Sequence, residues 1–213
     1  MSKIHMHIIH FIVHIADWVS TTMSHITTHP QLLTTLSSST TLSHLKQIHA
    51  QILHSNTTPE NTNTLLSKLA LSICTLSSSS SSLHYALSVF SQIPNPHPHF
   101  SNQLLRHLSR SSFPRNTIFL YHNLRAINAF TLDRFSFPPL LKAVSKVSAF
   151  NHGLEIHGLA SKLGFVDDPF IQTGLIAMYA SCRRIMDARL LFDKMSHPDA
   201  VAWNMIIDGY ARY

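Results

Sequence analysis

Histidine is the residue that most invites a chemical reading of this chain, with 17 of them among 213 residues. Imidazoles bind transition metals and exchange protons near neutral pH. His5, His7, His10 and His14 crowd the N-terminus, but helical i, i+4 spacing pairs only His10 with His14. Cysteine could complete a zinc site, yet there are two, Cys74 and Cys182, and neither is near that group. No His-Glu-x-x-His run occurs. No metal or other cofactor is implied, and both cysteines read as small apolar residues of helices. What remains is a set of amide, hydroxyl and carboxylate side chains that recur in step. Aligning Asn102, Pro138, Thr173 and Asn204 gives steps of 36, 35 and 31 residues. Asp133, Asp168 and Asp199 each stand five residues before one of these positions. An Asp there reads either as a helix N-cap or as a recognition residue, and spacing alone leaves both open.

Each step has room for two helices, and the apolar pattern is helical. Leu42, Leu45, Ile48 and Ile52 form one stripe, Leu65, Leu66, Leu69 and Ile73 a second, and Leu83, Ala86, Leu87 and Phe90 a third. Pro94-Asn95-Pro96-His97-Pro98 ends the third stripe, and the serine run Ser77–Ser82 reads as a flexible surface loop. No sustained alternation of β type appears. Phe90-Ser91-Gln92-Ile93-Pro94 matches Phe192-Asp193-Lys194-Met195-Ser196, each beginning 12 residues before an aligned Asn. Units of this size cannot bury their apolar faces alone and must stack on neighbours. The expected fold is all-α, an α-solenoid of helix-turn-helix repeats, with Trp203 and Tyr210 in the core or between repeats.

Composition narrows the partners. An apolar content of 45% permits a buried core, while 12% charged residues is sparse against a typical ~25%. Residues 1–100 carry Lys3, Lys46 and Lys68 against Asp17 and Glu60, so nearly all of the net +6 lies in residues 101–213. An anionic partner is expected there. No apolar run reaches the ~20 residues that cross a bilayer, so no membrane partner is expected. Residues 1–29 stand apart as an N-terminal segment, read as targeting or disordered. Trp18–Thr62 is rich in Ser and Thr with only Glu60 as an acid, a trait of organellar transit peptides, although no Arg precedes Arg106.

The unequal steps and the phrases that fill them resemble the plant pentatricopeptide repeat family, and more narrowly its subgroup of alternating standard, long and short repeats. Leu45-Lys46-Gln47-Ile48-His49-Ala50-Gln51-Ile52 and Gly153-Leu154-Glu155-Ile156-His157-Gly158 are similar to second helices of long repeats. Phe137–Ala143 resembles the first helix of a long repeat. Met178-Tyr179-Ala180-Ser181-Cys182 with Asp187–Met195 resembles a short repeat, and Trp203–Tyr210 the opening of the next standard one. The resemblance covers about residues 30–213. It divides them into degenerate N-terminal repeats (30–97), a standard repeat (98–133), a long one (134–168), a short one (169–199) and a partial one (200–213).

The resemblance implies a right-handed solenoid that binds single-stranded RNA in a sequence-specific way, one nucleotide per repeat. Such modules read splayed bases with two or three side chains per repeat. The reading pairs carried over are Asn102 with Asp133, Pro138 with Asp168, and Thr173 with Asp199. Asn204 is the first half of a fourth. Family usage implies uracil for the first pair, weak discrimination leaning to uracil for the second, and guanine for the third. Asn63 and His97 would be an earlier pair, but His97 is not a usual partner, and the N-terminal units are expected to cap the solenoid. The resemblance further implies a mitochondrial or chloroplast factor for RNA editing or processing, acting on an organellar transcript with editing-complex proteins. The deaminase signature of some relatives, His-x-Glu with Cys-x-x-Cys, is absent, so no enzyme is expected. At ~1–3 kcal/mol of discrimination per good pair, the chain alone is expected to bind RNA feebly and to work with partners or a C-terminal continuation. The competing reading is a scaffold for a protein or peptide, which would favour a regular 34-residue step and the Trp-x2-Leu-Gly-x2-Tyr phrase; neither is found.

Overall fold

The computed structural model of the protein describes residues 29–55, 57–76, 79–126 and 131–212. The histidines at 5, 7, 10 and 14 lie outside them. Among the described residues there are eleven helices and no strand. They are α1 (His29–Ser38), α2 (Leu42–His54), α3 (Pro59–Leu76), α4 (Ser80–Phe90), α5 (Pro98–Arg110) and α6 (Arg115–Ala126). Then follow α7 (Phe137–Val147), α8 (Phe150–Lys162), α9 (Pro169–Ser181), α10 (Ile185–Asp193) and α11 (Ala200–Ala211).

Local chemistry sets the helix ends. Thr41, Ser79, Asp168 and Asp199 each accept a backbone N–H from the first turn of α2, α4, α9 and α11. Pro59, Pro98 and Pro169 open α3, α5 and α9, where their missing N–H costs nothing. At the end of α8, Gly164 takes φ 77°. Phe165 N–H reaches Ala160 C=O at 2.8 Å and Gly164 N–H reaches Ser161 C=O at 3.2 Å, which satisfies the last carbonyls. α9 ends in the same way, with Arg183 at φ 62°.

The odd-numbered helices α1 to α11 stack in one row, each touching the next in the row. Helices α2, α4, α6, α8 and α10 form a second layer, each paired with the helix before it. The fold is an α-solenoid. Its core recurs in register: Leu104-Leu105, Leu140-Leu141 and Leu175-Ile176 are fully buried, two and three residues after Asn102, Pro138 and Thr173. Neighbouring repeats thus cover each other's apolar faces.

One expectation needs correction and one is narrowed. The serine run is helical in its second half. Ser79 Oγ accepts from Ser82 N–H at 3.2 Å, and Ser82 is buried beside Leu83 and Ala86 in α4. Packing of that apolar stripe overrides the weak helix propensity of serine. Of the two places expected for Trp203 and Tyr210, the core is excluded, since they are 53% and 45% exposed, and Trp203 packs between repeats. The Trp203 ring meets Phe192 edge-on at 4.6 Å, bridging α10 and α11, but α11 is anchored by Ala202, Ile206 and Gly209 on its other face.

Candidate functional site

The starts of the first-layer helices place the aligned positions. Asn102, Thr173 and Asn204 are each the fifth residue of their helix, α5, α9 and α11, and Asn63 is the fifth of α3. Pro138 is the second residue of α7, because residues 134–136 form a turn and the helix starts three residues later in register. Pro138 and Pro139 have no N–H to donate, so two of the four unpaired amides of an ordinary first turn are absent there.

One sequence-derived pair meets directly. Asn102 Nδ2 donates to both carboxylate oxygens of Asp133, at 2.9 and 3.0 Å, across 31 residues of chain. Asn102 Oδ1 accepts from the hydroxyl of Ser136 at 2.8 Å. Asp133 Oδ1 also accepts the N–H groups of Phe135 at 2.9 Å and Ser136 at 3.1 Å. The Asp133 N–H donates to Ser136 Oγ at 3.2 Å. Asn102 and Ser136 are shielded, at 6% and 0% exposure, while Asp133 is half-buried.

The other pairs stand differently. Asp168 accepts from Phe170 N–H at 2.9 Å and Ile171 N–H at 3.4 Å, capping α9; no hydrogen bond joins it to Pro138, whose ring has no donor. Asp199 accepts from Ala202 N–H at 2.8 Å, capping α11. No hydrogen bond joins Asp199 to Thr173, whose hydroxyl donates instead to the Pro169 carbonyl at 2.9 Å. Asn204 is exposed and Thr173 half-buried. His97 caps α5, its Nδ1 accepting from His99 N–H at 3.2 Å, so it takes the structural role that Asp168 and Asp199 take elsewhere.

Further side chains share this face. Three residues before Pro138, Thr173 and Asn204 stand Phe135, Phe170 and Val201, exposed at 52%, 77% and 52%. His99 holds that place before Asn102 and is also exposed. Phe170, Val201 and His99 lie on the helices themselves, where a residue three positions earlier shares the face, whereas Phe135 lies in the turn before α7. The Arg134 guanidinium sits 4.8 Å over the Phe135 ring. Arg106 and Lys142, four residues after Asn102 and Pro138, are exposed cations. Sequence reasoning missed Phe135, Phe170 and Ser136, though the alignment that groups Asn102 with Thr173 also groups the two phenylalanines. At the register of Ser136 the neighbouring repeats carry Phe100, Ile171 and Ala202, so a polar residue there is the exception.

Elsewhere, a cavity of about 410 Å³ lined by Arg115, Phe119, His122 and His152 opens near α6 and α8, apart from these residues. Among the described residues no group of three or more His, Cys, Asp or Glu side chains could hold a metal ion. No helix among them is long and apolar enough to cross a membrane.

No protein-family profile matches the chain. Individual proteins do. A pentatricopeptide repeat-containing protein of Arabidopsis thaliana is 49% identical over 183 residues, which is 85% of this chain and 24% of that protein. A second from the same plant is 35% identical over 83% of this chain and 25% of its own. A third, named as chloroplastic and mitochondrial, is 34% identical over 87% of this chain and 29% of its own. The chain spans about a quarter of the length of these curated relatives.

Proposed function

The chain is a member of the pentatricopeptide repeat family, and on that footing we propose that its first-layer helices bind single-stranded RNA, one base per repeat, as part of an organellar RNA editing or processing factor. The observation that carries the reading is the Asn102–Asp133 contact. A carboxylate can only accept, so it holds the Asn102 amide nitrogen towards itself and fixes which atoms are left for a base. One N–H and one carbonyl lone pair remain, a donor beside an acceptor, which complements the paired groups on a pyrimidine edge.

Thr173 supports the third contact. Its hydroxyl hydrogen is engaged by the Pro169 carbonyl, leaving lone pairs that accept from the donor edge of guanine. Pro138 offers no hydrogen bond, so its repeat discriminates weakly. Asn204 holds the same place in the next unit. Phe135, Phe170 and Val201 provide flat or apolar surfaces between successive reading positions, on which bases stack. Arg106 and Lys142 lie one turn further along and suit phosphates. The role is binding rather than catalysis, and the compartment is mitochondrion or chloroplast, as in the name of the third relative.

Competition binding of RNAs that vary at one position at a time tests the reading, with Thr173 intact and with Thr173→Asn. The expected result is a preference that moves from guanine to uracil at the third position alone. A preference that stays put, or none in either protein, rejects it.

A further inference from the structure

A fully buried hydroxyl where the neighbouring repeats carry Phe100, Ile171 and Ala202 calls for an explanation, since a buried polar group needs partners to offset its lost hydration. Ser136 does not use its side chain to cap α7, although it stands at the N-cap position. Its oxygen instead accepts the Asp133 N–H at 3.2 Å. Its single hydrogen faces Asn102 Oδ1 at 2.8 Å, with Asp133 Oδ1 further away at 3.0 Å. We propose that Ser136 is a positioning residue that locks the orientation of the Asn102 amide and thereby sets the base choice of that repeat.

The argument is one of hydrogen-bond sense. An amide's oxygen and nitrogen ends have nearly the same shape, so the side chain chooses between two orientations by its partners alone. Asp133 pulls the nitrogen end inward, and Ser136 pins the oxygen end with a donor. Together they leave the donor and the acceptor of Asn102 in fixed places. Uracil presents a carbonyl beside N3–H, and cytosine presents N3 beside an amino group, with the senses arranged in opposite order along the edge. A fixed amide in a fixed place favours one of these; an amide free to rock accepts both. Ser136 belongs to the following repeat by sequence, so the base choice of one repeat depends on its neighbour. The first half of this assignment concerns the free protein, and the second rests on the RNA reading proposed above.

The test uses the full chain with Ser136→Ala and Ser136→Thr, the latter keeping the hydroxyl, with circular dichroism to confirm folding. Hydrogen exchange of the Asn102 side-chain amide, followed by NMR without RNA, is expected to accelerate in Ser136→Ala and to recover in Ser136→Thr. The uracil-over-cytosine preference at that position is expected to fall by about 2- to 10-fold in Ser136→Ala, the scale of one hydrogen bond, and to return in Ser136→Thr. Unchanged amide exchange in Ser136→Ala overturns the assignment, as does faster exchange with an unaltered preference. No preference in the unaltered protein overturns the base reading itself, while the amide exchange still decides whether Ser136 positions Asn102.

Discussion

The Lys146 ammonium donates to the Ser109 carbonyl at 2.8 Å, so a side chain of α7 closes the last turn of α5. A second carbonyl, that of Ser111, lies 3.4 Å away. The C-terminal end of a helix carries unpaired carbonyls and partial negative charge, and a cation there offsets both. The contact ties one repeat to the next beyond their shared leucines. Replacing Lys146 with Met should lower stability by about 1 kcal/mol, more than the same change at Lys142. Urea unfolding of both variants at low and at high salt is the check, and equal losses would mean that the bond contributes nothing.

Arg183 sits at φ 62° after α9, in the place that Gly164 fills after α8. A side chain in this left-handed region costs ~1–2 kcal/mol, whereas glycine adopts it freely. Against that stands the extra chain entropy that glycine brings to the unfolded state. Arg183→Gly is expected to raise stability by about 0.5–1 kcal/mol. A melting temperature that falls would refute the capping account, because Arg183 is exposed.

Three histidines couple stability to pH: His107, lowered by burial and by Arg110 and Arg106, and two that meet a tyrosine. His49 Nδ1 lies 2.8 Å from the Tyr85 hydroxyl, and His157 Nδ1 lies 2.8 Å from that of Tyr179. Burial is the main force lowering both imidazole pKa values from 6.5; the Gln92 hydrogen bond opposes it at His49, and Lys194 reinforces it at His157. The folded chain therefore takes up protons at lower pH than the unfolded chain. The stability from these sites is complete above pH 6.5 and is lost as the pH falls through the folded values. Melting temperatures measured from pH 7.5 to 5 should decline, and the double variant His49→Gln/His157→Gln should show a flatter profile. An equally steep profile would assign the dependence to other groups.

Phe170 is 77% exposed, which is unusual for a phenylalanine with nothing to cover it. Phe170→Ala should change stability by less than ~0.5 kcal/mol and weaken RNA binding by ~1–3 kcal/mol. Affinity measured across several sequences should drop evenly, since stacking is tolerant of base identity. Intact affinity would remove Phe170 from the RNA-facing surface.

Much of this architecture is written locally. Proline at 59, 98 and 169, the capping Thr41, Asp168 and Asp199, and the paired apolar residues after each aligned position are properties of short stretches. They define where first-layer helices begin and which face each must bury, and stacking follows because a lone pair of helices cannot cover that face. The serine run departs from the expected loop for the converse reason. Six identical residues carry no local signal to separate Ser79 as a cap from Ser82 as a buried helix residue, and the packing of Leu83 and Ala86 settles it.

Asn102 and Thr173 mark the boundary between the two kinds of information. Each is the fifth residue of a first-layer helix with an Asp at the end of its repeat, and the sequence by itself determines that equivalence. Yet Asn102 is 6% exposed and bonded to Asp133 and Ser136, while Thr173 is half-buried and bonds the Pro169 carbonyl of its own helix. The difference arises because the environment of a first-layer residue is supplied by the next repeat, 31 to 34 residues away in sequence for Asp133 and Ser136. Local propensity places a side chain on a face; only the stacked neighbour decides which of its hydrogen-bonding groups are already spoken for and which are left for a ligand.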